Sequence, residues 1–323
     1  LLQNAPHLVH PLAFIIPAWK QIDRLMFAGG LKLYDLLSGW HNLASSQRLN
    51  SQEVIAALPG LKSTGLCGGI RYWDGQFDDA RLAITLMRTA SNLGATCLNF
   101  LPAIRLTNSK GRVTGAVLRD AETGEEFEVA ARAIINATGV HADSVRQLDD
   151  ANARPLLTPS QGIHLVVDAD FLPGQQALMI PKTEDGRVMF AIPWQGKVLL
   201  GTTDTPRPEL RQLNDPQPLE AEIDFLLRTA AGVLTRPPTR ADIRSAFAGL
   251  RPLIHAENAK DKNTAALSRE HAILVSTSGL ITVAGGKWTT YRLMAEQVVD
   301  RAIKVAGLAS TPCSTQSLKL HAC

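Results

Sequence analysis

Between Gly279 and Asp300 the chain reads GLITVAGGKWTTYRLMAEQVVD, and its residue types are those that can hold an electron-rich ligand. Gly285 and Gly286 remove side chains at a turn, and Lys287, Trp288, Thr289 and Thr290 follow as the apolar residues take up helical spacing. A helix starting there aims free backbone N–H groups back at the turn. With a lysine and two threonines beside it, such an end suits a phosphate or an anionic ring edge. An ordinary strand-to-helix connection uses the same residues, so this stretch alone leaves both readings open. A second candidate is Asn136, Ala137, Thr138 and Gly139, which close the unalternating apolar run Ala133, Ile134, Ile135. A buried strand carrying a ligand at its carboxyl end has this form.

The elements that must position these residues can be read from periodicity. Leu280 to Val283 is a strand, and Tyr291, Met294, Ala295, Val298 and Ala302 form one stripe of the following helix, with Arg292, Glu296 and Asp300 facing water. Ala272 to Val275 forms a strand that pairs with Ile281 to Ala284. Phe77 to Leu93 is a helix opened by Asp78 and Asp79, whose charges suit its positive end as caps. Runs at Ala103 to Thr107, Val113 to Arg119 and Glu126 to Ala130, separated by SKG and ETG, mark an antiparallel meander. Helix, meander and return strand suggest the second half of a nucleotide-binding sheet. No GxGxxG follows a strand, so the first half is expected upstream of Leu1.

From Pro155 to Asp204 the runs GIHLVVDAD, ALMIPK, GRVMFAIPW and KVLLGTTD alternate at short spacing, which predicts a separate antiparallel sheet walling a substrate pocket. Pro206, Pro208, Pro216 and Pro218 punctuate a loop before a helix over Glu220 to Leu234. Ile243 to Leu250 returns to strand, and the Ala/Lys/Asn-rich excursion up to Thr264 is expected to be mobile. Near the start, Trp19, Ile22, Leu25, Met26, Leu33, Leu36 and Leu37 give the stretch Pro17 to Leu37 an apolar helical face, with Lys20, Arg24 and Lys32 flanking it. Such a helix covers a core or lies in a membrane interface, and the Gly29, Gly30 pair is expected to interrupt it. SQEVIAALPG predicts a short helix capped by Ser51, and Thr64 to Asp74 a strand or hairpin entering a new unit.

The 323 residues are 45% hydrophobic and 20% charged, which fits a two-domain globular enzyme. A net charge of +3 without a basic run interleaved with aromatics gives no nucleic-acid footprint, and a mild preference for anionic partners survives. Cys67, Cys97, Cys313 and Cys323 are scattered without CxxC or metal-like histidine spacing, so neither zinc nor a disulfide framework is indicated and a reducing, cytoplasmic setting fits. No run of 18 apolar residues exists to span a membrane. A first residue other than Met and core-like residues from the outset suggest an internal portion of a longer protein.

In this order, NATGVHAD, GIHLVV, IPW with GTTD, GLRPL, SREHAI and GGKWTTYR resemble the FAD-dependent glycerol-3-phosphate dehydrogenases of the D-amino-acid-oxidase-like flavoprotein superfamily, over nearly the whole chain. The resemblance implies an α/β fold: an incomplete FAD-binding three-layer domain over 64–150 and 280–308, and an antiparallel substrate domain over 151–279. Residues 1–63 are then a helical, membrane-proximal insertion, and 309–323 a tail. It implies FAD as cofactor, bordered by Ala137, Thr138, Gly139, Gly285, Gly286, Lys287, Trp288, Thr289 and Thr290. It further implies oxidation of glycerol 3-phosphate to dihydroxyacetone phosphate, electrons passing to a membrane quinone, a peripheral seat on the inner face of the cell membrane and room for a homodimer.

Arg251 and Arg269 match the family's substrate-contacting arginines, whose planar fork suits a phosphate dianion; alone, either could be a surface ion pair. His164 matches the position of a base for the substrate hydroxyl, against the alternative of a hydrogen-bonded core histidine. Lys287, with the backbone of Trp288 and Thr289, would stabilise charge on a reduced flavin. Two rivals stand beside this: a flavin oxidase acting on an amino or hydroxy acid, and a truncated module that binds no FAD.

Overall fold

The structure is a computed structural model that describes residues 1–38, 43–208, 215–254 and 271–321, with the backbone alone over 31–38. In chain order the first elements are β1 (Val9–Ala18), α1 (Gln21–Ser38), β2 (Gln47–Leu49), α2 (Ser51–Ala57), β3 (Gly68–Phe77) and α3 (Asp79–Asn92). The meander follows as β4 (Ala103–Ser109), β5 (Arg112–Arg119) and β6 (Glu126–Ala130), then β7 (Ile135–Asn136) and α4 (Ala142–Asp149). Next come β8 (Leu157–Asp168), β9 (Ala177–Ile180), β10 (Met189–Trp194), β11 (Lys197–Gly201) and β12 (Thr205–Pro206). The chain closes with α5 (Glu220–Val233), β13 (Ser245–Ile254), β14 (His271–Val275), β15 (Ile281–Gly285) and α6 (Tyr291–Ala306).

Nine of these strands make one large sheet in the order β12, β8, β11, β10, β9, β1, β3, β2, with β13 also paired to β8. Strand β8 is its pivot. Its alternation sends Ile163, Leu165 and Val167 into the main core, where they meet Leu226 and Ala230 of α5, Val54 of α2 and Leu58 just after it. The opposite face carries Gly162 and His164. A second sheet sets β15 between β14 and β7, and β4, β5 and β6 form a third. Ala142, Leu157 and Ala284, with Leu156 and Ile254, pack together where the second sheet meets the first.

Several expectations hold. The meander, the four runs of the substrate sheet, the helix after the proline loop and the β14–β15 pair are all present, the last in the register Ala272 to Ala284 and Val275 to Ile281. Strand β13 runs on past Leu250 to Ile254 because each of its ten residues has a partner on β8. On α6 the inward stripe centres on buried Val298, while Ala295 is exposed.

Other expectations are corrected. Residues 9–18, placed in a helical insertion, form a central strand. β1 pairs antiparallel with β3 over ten positions and parallel with β9 at Phe14 and Ile15. Ile15 packs into the main core while Phe14, on the other face, stacks on Tyr72 at 5.3 Å and meets Phe190 edge-on at 5.8 Å. A strand buried on both faces has no alternation to read. Through the same pairing β3 joins the large sheet instead of opening a new unit.

Helix α1 continues through Gly29 and Gly30, since a cost of about 1 kcal/mol per glycine weakens a helix without breaking it. Its predicted face at Leu33, Leu36 and Leu37 falls among the side chains that are not described. Asn50, not Ser51, caps α2, accepting from the Glu53 amide while Glu53 returns a bond to the Asn50 amide. β7 is shorter than the run Ala133 to Asn136, Ile135 is exposed, and β7 pairs on one side only among the described residues. The excursion expected to be mobile, up to Thr264, lies outside the described residues from 255 on.

The central place of β1 has a measurable consequence. Ile15→Ala should lower unfolding stability by about 2–5 kcal/mol and Ile15→Val by about 0.5–1.5 kcal/mol, with unchanged denaturant slope. A loss below 0.5 kcal/mol for the alanine variant would mean that this strand is not core.

Candidate functional site

Two glycine turns sit at the same edge of the second sheet because β7 and β15 run parallel, with Ile135 opposite Ile281 and Asn136 opposite Thr282. At the end of β7, buried Asn136 shapes the turn: its Nδ2 donates to the Ala142 carbonyl at 2.9 Å and to Thr282 Oγ1 at 3.3 Å. Its Oδ1 accepts from Thr138 Oγ1 at 2.7 Å. Gly139 then has φ 58°, and a Cβ there would point into open space. At the end of β15, Gly285 and Gly286 have φ of 71° and 81°. A Cβ on Gly286 would lie 2.5 Å from Met294 Sδ, so the turn must be bare for α6 to pack beneath it. Trp288 to Thr290 form one 3-10 turn leading into α6, and Thr290 Oγ1 donates to the Lys287 carbonyl at 2.9 Å. Trp288 stands against Tyr291, ring centroids 5.5 Å apart. Two bare turns at the ends of adjacent parallel strands fit a flat ligand that must approach backbone closely, as a flavin nucleotide does.

Strand β13 carries the large sheet up to these turns. Leu250, Arg251, Pro252 and Leu253 line one cavity of about 310 Å³ together with Gly285, Gly286, Lys287 and Trp288. Arg251 and Lys287, about 36 positions apart in sequence by their numbers, therefore share a wall.

Arg251 stands opposite Ser160 in the β8–β13 register, yet its guanidinium lies over Gly162. A Cβ on Gly162 would fall 2.3 Å from Nη2 and 2.6 Å from Nη1, so only glycine leaves room for it. The fork is fixed from one side: Nη1 donates to the Thr203 carbonyl at 3.0 Å and Nη2 to Thr202 Oγ1 at 2.9 Å. Asp204 Oδ1, which accepts a short bond from Ser160 Oγ, lies 3.6 Å from Nη1. The cation is held in place with 31% of its side chain exposed.

His164 uses the same device. Its ring lies where a Cβ on Gly201 would be, 2.2 Å from Cδ2, and stacks on Phe247 across the strand pair at 5.3 Å and 17°. Burial pushes its pKa below the ordinary 6.5, the Arg251 charge acts in the same direction, and Asp79 opposes them. The imidazole is thus neutral at neutral pH and able to accept a proton. Asp78 caps α3 through the Arg81 amide at 2.9 Å, as its sequence position suggested. Asp79, read as a cap alone, is also near enough to bear on His164.

Of the residues picked out in sequence, the structure places Arg251, Gly285, Gly286, Lys287 and Trp288 on one cavity, with His164 one same-face step along β8 from the guanidinium. Ala137, Thr138 and Gly139 form the neighbouring turn, and Thr289 and Thr290 complete the entry to α6. Arg269 lies outside the described residues. Sequence reasoning missed Gly162, Gly201, Phe247 and Thr202 to Asp204, although GIHLVV and GTTD held the signal: a glycine directly opposite (Gly201 to His164) or diagonal to (Gly162 to Arg251) a large side chain on the neighbouring strand.

Comparison with known proteins agrees with this architecture. A family profile described as FAD dependent oxidoreductase matches residues 1–292. The probable mitochondrial glycerol-3-phosphate dehydrogenase of Caenorhabditis elegans is 41% identical over 99% of this chain and 44% of its own length. The Homo sapiens mitochondrial glycerol-3-phosphate dehydrogenase is 40% identical over 99% and 45%. A crystal structure of the Bacillus halodurans glycerol-3-phosphate dehydrogenase, complexed with FAD, superposes with a TM-score of 0.81 at 32% identity, covering 99% of this chain and 56% of that one. The chain thus spans about half the length of the relatives it matches.

The depressed His164 pKa can be tested directly. An NMR titration of its ring should have its midpoint below 6.5, and Arg251→Ala should raise it. Because the folded value lies below the unfolded one, the associated stability is complete above pH 6.5 and is lost as pH falls through the folded value. A midpoint above 6.5 would show that burial does not govern this ring.

Proposed function

From the premise that this chain belongs to the FAD dependent oxidoreductase family, we propose that it forms the substrate-binding part of a glycerol-3-phosphate dehydrogenase, which oxidises glycerol 3-phosphate to dihydroxyacetone phosphate. The observation that carries this reading is the single cavity walled by Arg251 and Lys287. A phosphate dianion needs a fixed planar cation, and the Thr202 and Thr203 contacts fix this one before any ligand arrives. Arg251 binds and orients the phosphate. His164, neutral and stacked on Phe247, takes the proton of the C2 hydroxyl on an imidazole nitrogen.

FAD, when bound, supplies the hydride acceptor, and the Gly139 and Gly285–Gly286 turns with Ala137, Thr138 and the segment 287–290 would hold it. Lys287 and the backbone of Trp288 and Thr289 present positive charge beside those turns. The amino- or hydroxy-acid oxidase reading is less well supported, since it needs one arginine for a carboxylate and gives no role to a lysine facing the same cavity.

Electrons would leave to a quinone, which puts the enzyme at a membrane. None of the described helices is long and apolar enough to cross one. Support for peripheral contact comes from α1, where Ile22, Leu25 and Met26 are 68%, 59% and 62% exposed at offsets of three and four. On another side of this helix, Arg24 Nη1 reaches the Cys67 carbonyl at 3.3 Å. We place this face against the inner leaflet of the cell membrane.

Two measurements decide these points. In a purified protein carrying this chain, Arg251→Ala should raise KM for glycerol 3-phosphate by at least about tenfold, the loss of one charge-assisted hydrogen bond being worth about 1.5–3 kcal/mol. An unchanged KM removes the phosphate assignment. Leu25→Glu with Met26→Glu should abolish co-sedimentation with anionic lipid vesicles; retention of binding would place the membrane contact elsewhere.

A further inference from the structure

Glu222 takes no part in the chemistry above, yet four different residues donate to its carboxylate. It sits in the first turn of α5, only 5% exposed, on the core side of the large sheet. Its Oε1 accepts from Thr203 Oγ1 at 2.8 Å and Thr205 Oγ1 at 2.7 Å. Its Oε2 accepts from Gln161 Nε2 at 2.7 Å and the Leu219 amide at 3.0 Å. A helix cap needs only the last of these bonds.

The other three run to the two segments that frame the Arg251 guanidinium. Thr203 is itself 2% exposed, and its hydroxyl, having donated to Glu222, accepts from the Ile163 amide at 3.1 Å. The carbonyl of the same Thr203 holds Arg251 Nη1. Gln161 is fully buried, receives Arg207 Nη1 on its Oε1 at 3.1 Å, and neighbours Gly162, over which the guanidinium lies.

We propose that Glu222 is the positioning residue of the Arg251 guanidinium: from the core side it clamps Thr203 and Thr205 to β8, and the clamped loop holds the fork over Gly162. Thr203 is the joint, with its side chain facing the acid and its carbonyl facing the arginine. A buried carboxylate with four neutral donors does this without competing for the cation, because it never touches Arg251. The proposal deepens the reading of Arg251 as the phosphate ligand and rests on it for its catalytic meaning, though not for its geometry.

Glu222→Gln keeps the volume but sets an NH2 group against donors that need an acceptor, so the loop loses part of its hold. Thr203→Val removes the joint's hydroxyl at nearly constant shape, and Thr203→Ser restores it. The readout is the His164 ring midpoint, which senses where the Arg251 charge lies. Glu222→Gln and Thr203→Val should both move it toward the value of Arg251→Ala, and Thr203→Ser should leave it at the parent value. Glu222→Gln added to Arg251→Ala should shift it no further.

A role confined to capping α5 would lower the melting temperature and leave the ring unmoved. Folded Glu222→Gln and Thr203→Val proteins with the parent midpoint overturn the proposal, as does a Glu222→Gln shift that persists in full without Arg251. Glu222→Gln should also raise KM for glycerol 3-phosphate about tenfold with little change in kcat. If Arg251→Ala leaves KM untouched, the substrate reading fails, while the ring titration still decides the role of Glu222.

Discussion

The guanidinium of Arg251 occupies volume that exists only because Gly162 has no side chain. Much of the site's order follows from that steric fact. A long cation laid flat across a strand must be held at its tip, and the loop after β11 holds it through Thr202 and Thr203. The same sheet repeats the solution two residues on, where the bare Gly201 receives the His164 ring. Both large groups therefore lie along the sheet face instead of standing off it.

β8 serves two environments at once. Odd positions 161, 163 and 165 enter the core or its buried polar network, and even positions 162 and 164 face the site. Hydrophobic burial on one face fixes the register of the other, since a slip of one residue would exchange the histidine with a leucine or isoleucine. The polar network around Glu222 adds direction to what apolar packing only compresses. Each of its acceptors is matched by a donor, which is the condition under which buried polar groups specify a conformation.

Much of this was legible in the residues. Period-two runs marked the meander and β8 to β11, and GGK followed by helical spacing marked the turn into α6. NATG after an apolar run marked the second turn. Strand β1 was not legible, because a segment packed on both faces loses the alternation that betrays a strand, and LAFIIPA is as apolar as a buried helical turn. The Gly29, Gly30 pair misled for the opposite reason, since a local preference worth little was outweighed by the rest of the helix. Of the site, the charged and aromatic members were visible by type. Gly162 and Gly201 were not, because an empty position has meaning only once the side chain that fills it, opposite or diagonal on the next strand, is known. Glu222 hid as a first-turn acid, a place where acids are common for local reasons.

The contacts that assemble the site also bear on how it comes into being. Asn136 and Thr282, which align the two glycine turns, are 146 residues apart, and Gln161 reaches Glu222 across 61. Loops of that length close slowly, and nothing local rewards their closure until the sheets dock. During synthesis the binding wall therefore stays unfinished while β8 waits for β13 and β7 waits for β15. A nascent chain halted between them would expose two unpaired strand edges, which makes that interval the one in which a chaperone is most needed.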